Sequence, residues 1–160
     1  MPTLADLLTV ESSASIFYSY ARELELSTQF SAADASMTLL VPTNKAVIAL
    51  PRKPHQGPEP SHGEIQISEE EFAARSKNNV DRWVRAHIIP QSPISLVDVT
   101  YGTLLDGKAV SFTTDPRANT DALEWQRVLV DAQTRILSMK EAANGVLYLI
   151  DGTITVDVSS

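Results

Sequence analysis

The sequence predicts an α+β fold, with helices leading and strands following. Two apolar stripes carry the helical half: Ile16, Phe17, Tyr20 and Leu24, then Val80, Trp83, Val84 and His87. Each stripe lies on one face of a helix with about 3.6 residues per turn. From Ile88 onward the period shifts towards two and turn pairs multiply, at Asp106-Gly107, Asn144-Gly145 and Asp151-Gly152. No internal repeat is visible. At 160 residues the chain suits one domain. A chain of this size buries roughly 68–70% of its unfolded surface, so it can hold a core without staples.

Taken in order, the first helix covers the Ile16–Leu24 stripe, with Ser12 or Ser13 placed to cap it by accepting from a free backbone N–H. Thr38–Val41 is a short apolar strand, and Pro42 ends it because proline has no N–H for a ladder. Thr43 is placed as the N-cap of a short helix through Val47 and Leu50. The stretch Pro51–Ser61 holds four prolines and Gly57, which predicts an exposed, partly extended loop. Ser68 and Glu71 match a capping box at the start of the second long helix. Asp106-Gly107 and Asn144-Gly145 both suit a type I′ hairpin turn, where positive φ is required. Leu123–Val130 reads as a strand anchored by Trp125.

Charge and composition exclude several functions. The net charge of −7 repels a phosphate backbone, whose neutralisation by Lys and Arg dominates nucleic-acid affinity. The local cluster Arg75, Lys77, Arg82 and Arg85 is offset by Glu69, Glu70, Glu71 and Asp81, the pattern of a solvated helical face. With no cysteine there is no disulfide, thiolate catalysis or cysteine-ligated zinc. No apolar run approaches the roughly 20 residues that span a bilayer. The N-terminus MPTLADLLTV has neither a basic leader nor an apolar core, so the chain is either intracellular or trimmed of its leader. No Asn-x-Ser/Thr sequon is present.

The histidines are the candidates for proton transfer near neutral pH. His55 and His62 lie in the proline-rich loop, where only Glu59 and Glu64 are near in sequence, too sparse a set for a metal site. His87 sits on an apolar helix face, and no G-x-S-x-G motif accompanies it. The sequence therefore assigns it to the core, bonded to backbone or to Thr43 or Asn44. Asp106 and Asp151 are explained by their Asp-Gly turns, and Asp157 has no partner that sequence can place beside it. No P-loop, G-x-G-x-x-G or H-E-x-x-H occurs, so no catalytic, cofactor or metal residue is assigned.

Three segments in series resemble the signature boxes of the fasciclin domain family. The first is Leu39-Leu40-Val41-Pro42-Thr43-Asn44-Lys45-Ala46, an apolar strand followed by Pro-Thr-Asn. The second is Asn144-Gly145-Val146-Leu147-Tyr148-Leu149-Ile150-Asp151, and between them Ala86-His87-Ile88-Ile89-Pro90 stands where the family carries a Tyr-His motif. Order and spacing match over most of the chain, roughly Leu4 to Val156. Departures include Val47 where an aromatic is usual, Ala86 for the tyrosine, and Tyr148 where histidine is common. Leu137–Glu141 does not match the family's integrin-binding sequence, and no Arg-Gly-Asp occurs.

The resemblance implies a fasciclin-like wedge, N-terminal helices packed on twisted β-sheets, of a kind also found in fungi. It implies one domain over residues 1–160, with a proline-rich surface insertion at about 51–64. Pro42, Thr43, Asn44, His87, Asn144, Gly145, Ile150 and Asp151 are its motif positions, read as structural. The function implied is a non-enzymatic adhesion or protein-interaction module of the cell surface, wall, matrix or vacuole, without cofactor and monomeric. Its partner would be a protein or glycan met in the secretory pathway. The alternative is a ligand-binding module that takes a lipid or glycan in an apolar cleft between helices and sheet.

Overall fold

The computed structural model describes residues 1–51, 53–56 and 68–156. Among these described residues, four α-helices precede or interrupt seven strands: α1 Leu4–Val10, α2 Ser15–Ala21, α3 Asn44–Ile48 and α4 Glu69–Arg85. The strands are β1 Met37–Pro42, β2 Ile88–Ile89, β3 Val99–Gly102, β4 Ala109–Thr114, β5 Val128–Val130, β6 Thr134–Ala142 and β7 Gly145–Ile150. They form one mixed sheet in the order β2-β1-β7-β6-β5-β4-β3, giving the α+β class. All strand pairs are antiparallel except β1 with β7.

That exception organises the core. All six residues of β1 and five of the six in β7 are buried, as expected of strands covered on both faces. Because side chains alternate along a strand, Leu39, Val41, Leu147 and Leu149 face the helices and pack with Phe17, Trp83 and Val84. Leu40, Val146, Tyr148 and Ile150 face the other way and pack with Val110, Phe112, Val128 and Ile136. A register shift between Ile136 and Ser138 lets β6 pair with β7 at one end and β5 at the other. Bulges bend a strand in this way, and here the second half of the sheet closes over its own core.

Local sequence accounts for several boundaries. Thr43 Oγ1 accepts from Ala46 N at 3.2 Å and caps α3, while Ser68 Oγ accepts from Glu71 N at 3.1 Å and caps α4. Gly145, at φ +157°, begins β7 where an added Cβ would strike the Met37 carbonyl oxygen. The close approach requires glycine.

Other expectations are corrected. Ser12 and Ser13 form a 3₁₀ turn before α2 instead of capping it, and Leu24, though buried, falls beyond the helix end. The Leu123–Val130 strand is only Val128–Val130. Trp125 lies in a 3₁₀ turn, Glu124–Gln126, partly buried against the second core cluster. In the β3–β4 connection Gly107 alone takes positive φ, so the turn is not type I′. The β6–β7 turn is Ala143–Asn144, with Gly145 already paired to Ala142. Positive φ at two successive residues appears instead at Asp131 and Ala132, between β5 and β6. Within the proline-rich stretch, Pro54 is buried, and Asn79 Nδ2 donates to the His55 carbonyl at 3.1 Å. In the same stretch Pro51 is exposed, whereas the turn Pro54–Gln56 is docked against α4. The remainder, 57–64, lies outside the described residues.

Trp83 is 7% exposed and lies 5.6 Å from the Phe17 ring and 5.9 Å from Tyr20. Truncating such an aromatic costs about 3–5 kcal/mol, and each kcal/mol moves the midpoint about 2–4 °C in a chain of this size. Trp83→Ala should therefore melt roughly 10 °C below the parent. A thermal denaturation curve within a few degrees of the parent would remove Trp83 from the centre of the helix–sheet interface.

Candidate functional site

The two outer motif boxes lie side by side. β1 and β7 run parallel in register from Met37 opposite Gly145 to Pro42 opposite Ile150, and Thr43 N continues the ladder to the Ile150 carbonyl at 3.1 Å. Segments about a hundred residues apart in sequence thus share one set of backbone bonds.

An asparagine stands at each end of this strand pair. Just past the end of β1, Asn44 Oδ1 accepts from Ile16 N at 2.8 Å, satisfying an N–H in the first turn of α2. Its Nδ2 donates to the Ser12 carbonyl at 3.0 Å and to Ser15 Oγ at 3.1 Å. Helix starts leave such donors orphaned, and the partner comes from 28 residues away instead of from Ser12 or Ser13. Just before β7, Asn144 Oδ1 accepts from Leu4 N, the first residue of α1, at 2.9 Å. Its Nδ2 donates to Phe30 O at 2.9 Å and Ala32 O at 3.0 Å, with Gln29 O at 3.4 Å. Asn144 is 2% exposed, so both ends of the amide work inside the protein. The salt bridge from Lys140 Nζ to Glu11 Oε1, at 2.7 Å, ties the far end of α1 to β6 and holds the Glu11 carboxyl below its ordinary pKa.

His87 follows α4 and is fully buried. Its Nδ1 lies 2.7 Å from the Trp83 carbonyl, which can only accept, and its Nε2 lies 3.0 Å from Ile154 N, which can only donate. The partners therefore fix the neutral ring, with the proton on Nδ1. Both partners are backbone, the first of the two expected alternatives; Thr43 and Asn44 are instead engaged at the starts of α3 and α2. Burial pushes the His87 pKa down to about 4; the Trp83 bond opposes this shift and the charge of Lys108 adds to it.

The other candidate groups are dispersed. Asp151 Oδ1 accepts from Arg135 N at 2.9 Å, and Asp106 sits in the β3–β4 turn. His55 stacks on Tyr20 at 6.3 Å. His62 and Asp157 lie outside the described residues. Among the described residues no group of three or more His, Asp or Glu is placed to hold a metal ion. No helix among them is long and apolar enough to cross a membrane. One feature was invisible in the sequence: an open cleft of about 570 Å³ between the 3₁₀ segment Glu25–Phe30, the start of β1 and β2. Leu26, Met37, Ile88 and Leu104 line it beside Glu25 and Arg85. Its walls come from four separate stretches of chain, so no local pattern marks it.

A family profile described as the Fasciclin domain matches residues 12–156. The chain belongs to the fasciclin domain family. Among curated relatives, a FAS1 domain-containing protein of Emericella nidulans is 27% identical over 157 residues, which is 96% of this chain and 62% of that protein. One from Aspergillus fumigatus is 36% identical over 96 residues, 58% of this chain and 41% of the relative. The chain thus spans less than two thirds of the length of these relatives. A solved FAS1 domain pair from the insect cell adhesion molecule Fasciclin I aligns with a TM-score of 0.68 over 97% of this chain and 51% of that one. At 14% identity this second likeness shows the fold alone.

The neutral His87 makes the fasciclin domain sensitive to acid, and the sign follows from linkage. Its folded pKa of about 4 lies below the ordinary value of 6.5, so between these values the unfolded chain binds the extra proton. The stabilisation is full above pH 6.5, falls by about 1.4 kcal/mol per pH unit as pH drops towards 4, and changes no further below that. Denaturant unfolding measured across this window should show that slope. His87→Gln, which keeps a donor and an acceptor but cannot titrate, should flatten it. An equal slope in both proteins would assign the acid sensitivity elsewhere.

Proposed function

We propose that this fasciclin domain works without catalysis, as an adhesion or protein-interaction module at a cell surface, wall, matrix or vacuole. One observation carries the reading. The side chains of Thr43, Asn44, His87 and Asn144 spend their hydrogen bonds on backbone groups and one serine of the same chain. A catalytic group must reach a proton of the substrate, and these groups are turned inward. A likeness in fold to a cell adhesion molecule supports the same reading. On it, Pro42, Gly145, Ile150 and Asp151 are structural as well: they build the paired strands and the close approach between them. The domain is a single unit over 1–160 with its insertion at about 51–64, and it is monomeric. Its partner is a protein or glycan met in the secretory pathway.

A surface of net charge −7 gives a single domain modest affinity, so contact strength comes from copy number. Linking or anchoring copies raises avidity about 10²–10⁴-fold without a new contact. The isolated chain should sediment as a monomer and bind its partner surface no tighter than about micromolar, while a clustered form binds stably. A nanomolar one-to-one complex of the single domain would contradict this. The 570 Å³ cleft favours a second reading, a small-ligand module. Native mass spectrometry of freshly purified protein separates the two, since a co-purifying lipid or glycan belongs to the second alone.

A further inference from the structure

Asn144-Gly145 is the sole Asn-Gly pair in the sequence. In this dipeptide the next backbone nitrogen has no side chain to hinder its approach to the asparagine amide carbon, which makes Asn-Gly chemically labile. The same asparagine holds together α1, the segment Gln29–Ala32 and the β6–β7 hairpin. We propose that Asn144 is a site of spontaneous deamidation, protected while the domain is folded, and that its conversion irreversibly releases the N-terminal helix. This goes beyond the adhesion reading and does not depend on it.

The chemistry needs only water. The Gly145 backbone nitrogen loses its proton and bonds to Asn144 Cγ, the Cγ–Nδ2 bond breaks, and ammonia leaves with that electron pair, giving a cyclic imide. Water then adds to either imide carbonyl and opens the ring to aspartate or isoaspartate. In the folded domain the attack is blocked from both sides. The amide is fixed through Oδ1 by Leu4 N and through Nδ2 by Phe30 O and Ala32 O. The peptide itself is fixed by Met37 N, which donates to the Asn144 carbonyl at 3.3 Å. Asn144 must swing out of this pocket before its Cγ can meet the Gly145 nitrogen, so the rate tracks local opening instead of intrinsic reactivity.

The product cannot return to its place. An aspartate still accepts from Leu4 N, but its second oxygen then faces the carbonyls of Phe30 and Ala32, where the amide had two donors to give. A carboxylate buried against carbonyl oxygens is an uncompensated charge. An isoaspartate also lengthens the backbone by one atom, at the step where Ala142 pairs with Gly145. Each opening therefore risks converting the clamp into a wedge.

The intact chain, incubated at neutral pH, can be followed by peptide mapping and mass spectrometry for amide-to-acid conversion at each asparagine, folded and in urea. In urea Asn144 should convert faster than Asn44, Asn78, Asn79 and Asn119. Folding should slow Asn144 at least about 100-fold, as expected for a site exposed only by opening, while exposed Asn119 slows little. Lys140→Ala, which unties the far end of α1, should speed folded-state conversion at Asn144 roughly threefold, the worth of an ion pair of this kind. Converted protein, separated by charge, should melt about 5–10 °C below the parent or fail to refold. Conversion at the same rate folded and unfolded would overturn the protection. A converted protein that melts like the parent would overturn the release.

Discussion

The parallel pairing of β1 with β7 is the constraint on which the rest of the structure depends. It joins residues 37–42 to residues 145–150 and places every other element by its relation to that pair. Helices cover one face and the returning sheet covers the other. At one end Asn144 grips the first N–H of α1, and at the other Asn44 grips an N–H in the first turn of α2. Helix starts need such acceptors. Drawing them from the ends of the central strands makes the helix layer conditional on correct strand pairing. His87 adds a third tie, to Ile154 N in the segment that leaves β7.

These three ties explain why Asn44, His87 and Asn144 are polar and yet sit in or beside the core. A buried polar group left unpaired costs about 1–3 kcal/mol, more than a made bond gains. Removing any of the three therefore strands a backbone group as well as losing its own bond. The arrangement adds register specificity to paired strands whose buried side chains are mostly leucine, isoleucine and valine. It also spends the side chains of Asn44, His87 and Asn144 on partners within the chain. On the proposed adhesion reading, contact with a partner would fall to the surface outside these boxes, which carries the charge, the docked proline-rich segment and the cleft beside Arg85.

Much of the fold was legible in the sequence, for local reasons. The stripes of α2 and α4, the Thr43 and Ser68 caps and the strand at Thr38–Val41 are all readable within a few residues, although that strand runs on through Pro42 instead of ending there. What was misread depends on distant partners. The acceptor for α2 comes from Asn44 and that for Leu4 comes from residue 144, so no nearby serine was needed for the first. Trp125 looked like a strand anchor as the largest residue of Leu123–Val130, but the chain turns there, and Glu124 Oε1 accepts from Leu96 N at 2.8 Å. Turn types were also missed. Asp131 and Ala132 take positive φ where Asp131 N donates to the Ser111 carbonyl and Asp131 Oδ1 accepts from Ser111 N, tertiary bonds that no local pattern announces. His87 was correctly placed in the core, yet its partners were not found, since Trp83 O and Ile154 N carry no side-chain signature.

The dependence of the helix layer on the strand pair can be measured directly by hydrogen–deuterium exchange on Asn144→Ala. If Asn144 is the tie between the two, amides of Leu4–Val10 should lose most of their protection. Those of β1 and β7 should keep theirs, because their ladder bonds are untouched. Unchanged protection in α1 would show that packing of Leu4 and Leu8 holds the helix alone. Uniform loss across the chain would show that the strand pair depends on the clamp and not the reverse. Either result would contradict the order of dependence described above.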